Sequence, residues 1–408
     1  MNKRYVIAAL CVPVFLFHLS SSALSASPSP YATLYQEICR IVTANFYDPA
    51  MIERDFPGIE KRYRAKIDAA SNRHEFSVLV NGMLARLNTS HTYYLTPSDY
   101  EYYHLGAVFS QIPEIGKIFG NQTVQYPTVG IITRKIDGKD FIATVLAGSA
   151  GEKAGLQMGD EIISVGGAPY SPIRSIENHV GKDVLFSIRR IRNELPVKIA
   201  VRPVLINPKK EMLDAQKASI RILEQKGKKI GYIHIYSYAG KEYHDELVSA
   251  ITWGKLREAD GLIIDLRYGL GGASPGYLNI FNPDIPVLRM IDREGKKETF
   301  DSQWRKPAVY ITNNATRSGK ELVVFGAKKY KYATVIGEKT AGATTAGRLY
   351  PLSNNDLIYL AVKGSKIDGV DLEGVGVTPD IEVPFDIRYC RGRDIQLEKS
   401  MDYLLNIL

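Results

Sequence analysis

Five stretches of this 408-residue chain hold the side chains that chemistry would need. "LNTSHTYYLTP" sets Ser90 beside His91, and "GLIIDLRYGLGG" runs from an apolar strand into a glycine-rich turn. "VYITNNATRSGKEL" places Ser318 just ahead of a helix-forming segment, and "GEKTAGATTAG" is a second turn of small residues. "DGVDLEGVGVTPDIEV" carries Glu373 ahead of two glycines and Pro379-Asp380. A serine hydroxyl is a weak nucleophile until a neighbouring group takes its proton. Histidine, with an ordinary pKa of about 6.5, suits that transfer near neutral pH. A glycine turn after a buried strand lets backbone N–H groups point at a carbonyl whose oxygen is gaining charge. Each stretch also has a plainer explanation. Serine is a favoured helix N-cap, a Gly-rich turn simply reverses the chain, and a histidine at a helix end interacts with the macrodipole. Glu373 alone would be a turn glutamate facing a surface cation.

The elements that must position these residues fall into three textures. Residues 31 to about 104 repeat apolar side chains at three- and four-residue steps, as in "YATLYQEICRIVTANFY" and "HEFSVLVNGMLARL", which predicts helices. Ser90-His91 then lies at a helix C-terminus or in the loop after it. From about 126 to 204 short strand-like runs alternate with Gly turns: "VGIITRK", "DFIATVL", "DEIISVGG", "VLFSIRRI" and "VKIAVRPV". Within this region "SAGEKAGLQMGD" predicts a short helix and turn, and "SPIRSIENHVGKD" a second helix. From about 228 strand and helix patterns alternate, which predicts βα units around a mostly parallel sheet.

Composition narrows the class. Hydrophobic residues make up 45% and charged residues 24%, as in globular proteins. Lys3 and Arg4, the apolar run "YVIAALCVPVFLFHL" and the small residues after it read as an export signal over 1–26, cut between Ala23 and Ala26. An uncleaved N-terminal anchor is the alternative. Removing the signal takes the formal charge from +8 to about +6, with no basic block that would argue for nucleic acid. The chain has no HExxH or CxxC, no Walker loop and no dinucleotide fingerprint, so no metal, nucleotide or other cofactor is implied. Cys39 and Cys390 could form a disulfide in an oxidising compartment or stay as two buried thiols.

The order of pieces resembles the C-terminal processing (tail-specific) and tricorn-core family of serine peptidases, over nearly the whole mature chain. The implied fold is multidomain α/β and α+β: a helical N-terminal region (27–125), a PDZ-like β domain (126–206) and a crotonase-like peptidase core (207–408). "AGSAGEKAGLQMGDEIISVGG" looks like the PDZ signature, and the implied peptide groove begins near Val129-Gly130-Ile131. Alignment on Glu321 puts the implied nucleophile at Ser318, with Gly319, Gly271 and Gly272 as oxyanion-hole candidates. Processing proteases take their base from a lysine about 25 residues after the serine; the aligned residue is Ala343, which cannot accept a proton. The tricorn-like branch uses a histidine preceded by a serine, which implies His91 as base, with Ser90 and Glu373 orienting it. A Ser-Lys dyad through Lys320 or Lys339 is the variant reading. Thr316-Arg317-Ser318-Gly319 and Tyr268-Gly269 depart from the family's usual residues, so a non-catalytic binding protein on the same scaffold is the competing one. The implied partner is a polypeptide, recognised by its C-terminus, and the implied location periplasmic or extracellular.

Overall fold

The computed structural model describes residues 31–408; the export signal expected over 1–26 lies outside the described residues. Its centre is a six-stranded sheet in the order Ile381–Glu382, Thr334–Gly337, Ala308–Thr312, Gly261–Asp265, Lys228–His234 and Arg221–Gln225. All pairings are parallel except the last, a hairpin turned by Lys226-Gly227 with both residues at positive φ. Every residue of Gly261–Asp265 and Ala308–Thr312 is buried, as expected of strands covered on both faces. One face packs Ile233, Leu262, Ile264 and Tyr310 into the large core. The other meets Met401 and Leu404 of the C-terminal helix Ile395–Ile407.

The N-terminal helices α1 (Ala32–Asn45), α2 (Pro49–Asp68) and α3 (Arg73–Leu84) build a separate core. Asp48 and Asn72 cap α2 and α3 by accepting from Met51 N–H and Glu75 N–H. That core is completed by Ile358, Leu360 and Ala361 from Leu357–Lys363, a strand near the other end of the chain. The same strand pairs antiparallel with Tyr93–Leu95, with Tyr93 opposite Tyr359. The next helix, α4 (Tyr100–Val108), lies beyond this strand.

A five-stranded antiparallel sheet runs from Ile131–Ile136 to Val197–Val201 around a core including Ile142, Phe186 and Ile188. The chain enters and leaves this sheet through a two-stranded ladder, Tyr126–Thr128 against Val204–Ile206, with Tyr126 opposite Ile206. The helix expected in "SPIRSIENHVGKD" does not form: the segment is turns with a single 3₁₀ turn, Glu177–His179. Ser175 explains part of this, because its hydroxyl accepts from Ser171 N–H at 2.8 Å. Such local side-chain bonds compete with a helical ladder. Ile173 and Ile176 are instead buried.

Leu360→Ala is expected to cost about 2–5 kcal/mol, because the side chain is fully buried where its strand completes the α1–α3 core. Urea denaturation checks this: the midpoint should fall with an unchanged slope.

Candidate active site

The Ala308–Thr312 strand ends in a locked turn. Asn313 Oδ1 accepts from Ala315 N–H, and Thr316 Oγ1 donates to Leu266 O. Ser318 follows with φ 59° and ψ −134° and leads into the helix Gly319–Lys329. An ordinary N-cap residue adopts extended backbone angles. A side-chain-bearing residue at positive φ instead costs about 1–3 kcal/mol and persists only where its surroundings enforce it. Enforcement is visible here. Ser318 N–H donates to Ala343 O at 2.8 Å, and the buried Glu321 carboxylate accepts from Thr340 Oγ1 (2.6 Å), Gly342 N–H (2.7 Å) and Ala343 N–H (2.7 Å). Burial raises the Glu321 pKa.

The glycine turn presses against the serine. A Cβ on Gly271 would sit 2.5 Å from Ser318 Cβ, and one on Gly319 would sit 2.8 Å from the Gly272 nitrogen. Only glycine at both positions permits this approach. The amides of Gly272 and Gly319 are thereby neighbours beside Ser318. Tyr268, one of the departures from the family's usual residues, also holds positive φ, at 58°.

His91 arrives from the other side. The 3₁₀ turn Ala85–Leu87 is closed by Asn88 in the left-handed region, and His91 itself sits at φ 55°. Its Nδ1 lies 2.8 Å from Ser90 Oγ and 3.3 Å from Thr345 Oγ1. Ser90 Oγ donates to Glu373 Oε2 at 3.1 Å, which uses its one proton. The network therefore assigns the proton on His91 to Nδ1 and leaves Nε2 as a lone-pair acceptor. Glu373 is held in turn by N–H donors from Ser90 (2.7 Å), Thr344 (2.7 Å) and Thr345 (3.0 Å). His91 and Ser318 line one cavity of about 150 Å³, with Gly271, Gly272, Arg317 and Tyr359. Ser318 and Gly319 also open onto a groove of about 980 Å³ floored by Leu322, Phe325 and Ile367.

The His91 pKa is lowered to about 4, first by burial and then by the Arg317 guanidinium, with Glu373 and Glu101 opposing. Arg317 forms a half-buried ion pair with Glu101 of α4. Arg317 stood out in the sequence only as a departure from the family's usual residues and Glu101 not at all, and Thr345, which touches both Ser90 and His91, was also missed. The run of two threonines after Ala343 was the available signal. Neither candidate lysine lines the cavity that His91 and Ser318 share. Lys339 is exposed, and Lys320 is fully buried with its Nζ on main-chain carbonyls.

Val129, Gly130 and Ile131 lie away from this centre, in the β domain. Gly130 N–H donates to Thr128 Oγ1 at 2.9 Å, and Thr128 donates to Glu211. Ile131–Ile136 is an edge strand, and Ile131 and Thr133 share a cavity of about 30 Å³ with Tyr170, Pro172 and Ile176. That is room for about one water. Cys39 and Cys390 are both free thiols, the first buried among the α1–α3 side chains.

Comparison with known proteins gives the class. Residues 229–383 match peptidase family S41, residues 29–85 the tricorn protease C1 domain and residues 141–187 a PDZ domain. The carboxyl-terminal-processing protease of Synechocystis sp. is 24% identical over 414 residues, covering 95% of this chain and 90% of that protein. CtpB of Bacillus subtilis is 24% identical over 378 residues, covering 88% and 73%. Among solved structures, the tricorn protease superposes with a TM-score of 0.55 at 17% identity over 92% of this chain and 36% of that one. Mature CPAF superposes at 0.51 with 14% identity over 93% and 97%. Fold and domains together define a serine peptidase of the S41 type with an inserted PDZ domain. The relatives that it resembles in sequence include carboxyl-terminal processing and tricorn proteases.

The His91 imidazole should titrate well below 6.5 in NMR of ring-labelled protein. Arg317→Gln removes a cation that opposes protonation and leaves Glu101 uncompensated, so the midpoint should move up towards 6.5. An unmoved midpoint would rule out Arg317 as a cause.

Proposed function

We propose that this chain is an exported serine endopeptidase that cleaves polypeptides through an acyl-enzyme at Ser318, with His91 as general base. The observation that carries the reading is the chain of contacts from Glu373 through Ser90 to His91, ending in the cavity where the strained Ser318 stands. As Ser318 Oγ attacks the peptide carbonyl, His91 Nε2 takes its proton. The imidazolium keeps its Nδ1–H on Ser90 Oγ, and the Glu373 carboxylate stabilises the charge through that hydroxyl. The carbonyl oxygen, now negative, lies against the amides of Gly319 and the Gly271-Gly272 turn. His91 then protonates the leaving amine as the C–N bond breaks. Water, deprotonated by the same histidine, attacks the ester and releases the acid. No cofactor enters any step.

Support for histidine over lysine comes from the surroundings of each amine. Ala343 stands next to Ser318 where a basic residue would have to be, and Lys339 is exposed. Export rests on the N-terminal sequence alone. The β domain would present substrate along the edge of Ile131–Ile136. A terminal carboxylate near Val129-Gly130 would sit in the open groove of about 580 Å³ that these residues line with Leu146, Ala150 and Lys153.

A fluorophosphonate probe should label the wild type and not Ser318→Ala. Failure to label folded wild type would leave the non-catalytic binding protein as the better description. On a cleaved peptide, His91→Ala should lose about 10³-fold or more in kcat, and Glu373→Gln less. Lys339→Ala should match the wild type; the reverse pattern would establish a Ser-Lys dyad.

A further inference from the structure

Lys320 is the second residue of the Gly319–Lys329 helix, and its side chain is fully buried. Burying an amine costs free energy that packing does not return, so such a residue is rarely there for stability alone. Its bonds go to carbonyl oxygens rather than to a carboxylate. Nζ donates to Tyr268 O at 2.6 Å and to Tyr236 O at 3.3 Å. Burial lowers its pKa to about 7, and a neutral amine still has the two N–H groups that these acceptors require.

The two acceptors belong to the segments that shape the glycine turn. Tyr268, at positive φ, begins the turn, and Gly269 behind it touches Tyr236, where an added Cβ would lie 1.8 Å from Tyr236 O. Leu270 N–H donates to the same Tyr236 O, and Tyr238 N–H donates to Gly271 O at 2.9 Å. The turn is thus pinned along the 236–238 segment on one side and against Ser318 and Gly319 on the other. Lys320 spans all three: its backbone follows Gly319, and its amine reaches both the start of the turn and the segment beneath.

We infer that Lys320 is a positioning residue that fixes the 268–272 turn against Gly319, so that both sets of amides face one oxyanion. This rests on the peptidase reading above. The amine is not the base; it sets the spacing of the groups that receive the negative oxygen. Its contribution then appears only when the carbonyl carbon becomes tetrahedral, because ground-state peptide binding does not need those amides aligned.

The test compares wild type with Lys320→Met, which keeps length and apolar bulk but cannot donate. The readouts are kcat, KM and the affinity of a peptide boronate, which mimics the tetrahedral state. The expected result is a fall of about 100-fold in kcat with a matching loss of boronate affinity, while KM stays within about twofold. Lys320→Gln, whose amide can still donate, should lose less of both, and it takes the place of the methionine variant if that one does not fold. A folded variant with unchanged kcat and boronate affinity, or one that loses kcat and KM without the boronate, overturns the inference while leaving the peptidase reading intact. Wild type that neither cleaves peptide nor labels with a fluorophosphonate overturns the peptidase reading itself, and this inference with it.

Discussion

The site depends on one pairing of distant segments, the antiparallel ladder between Tyr93–Leu95 and Leu357–Lys363. It begins two residues after His91 and ties the helical N-terminal region to the C-terminal part of the core. The Glu373 carboxylate adds a second tie by accepting from Ser90 and from Thr344-Thr345 at once. Without these contacts His91 would belong to a helical appendage and Ser318 to a parallel sheet, with nothing fixing the approach of one to the other. Preorganisation of this kind is what makes weak groups effective, since their geometry is set before any substrate arrives.

Around this ladder the chain buries several charges, each with a local reason. Asp265 and Arg267 pair below the glycine turn, and Arg267 reaches on to Asp394 of the C-terminal helix cap. Arg317 pairs with Glu101, both half-buried, and so joins α4 to the residue before the serine. Buried pairs of this type give little net stability but are costly to break from one side. They define how segments meet more than how tightly they hold, and near a reacting centre geometry is the scarcer commodity.

Much of the framework was legible in the sequence because it rests on local pattern. The apolar strands "LIIDL" and "VYIT", the helical steps of 31–87 and the short β runs of the inserted domain all follow from periodicity. Other features depend on contacts between residues far apart, which periodicity cannot express. Glu101 reads as one more acid on a helix until Arg317 is placed beside it. Lys320 reads as a solvated helix residue, although its burial follows from the close approach of Gly271 and Gly319. The backbone angles of His91 and Ser318 are illegible for a related reason, since neither residue type signals positive φ. The segment 171–183 misled in the opposite direction: its Ser171-Pro172 start suits a helix, but Ser175 and the burial of Ile173 and Ile176 favour turns.

Because Tyr126 faces Ile206 across a two-stranded neck, the host core meets everything between them as one hairpin loop. The entropy of closing a loop rises only with the logarithm of its length, by about 0.6 kcal/mol per doubling. Chain entropy therefore leaves the host nearly indifferent to the length of the cassette, but not to its faces, because Phe141, Ala143 and Leu146 pack into the host's own core and Tyr389 donates to Glu161. A different module with the same spacing of ends would close its loop as cheaply, yet it would have to bring its own apolar face to fill the places of Phe141 and Leu146.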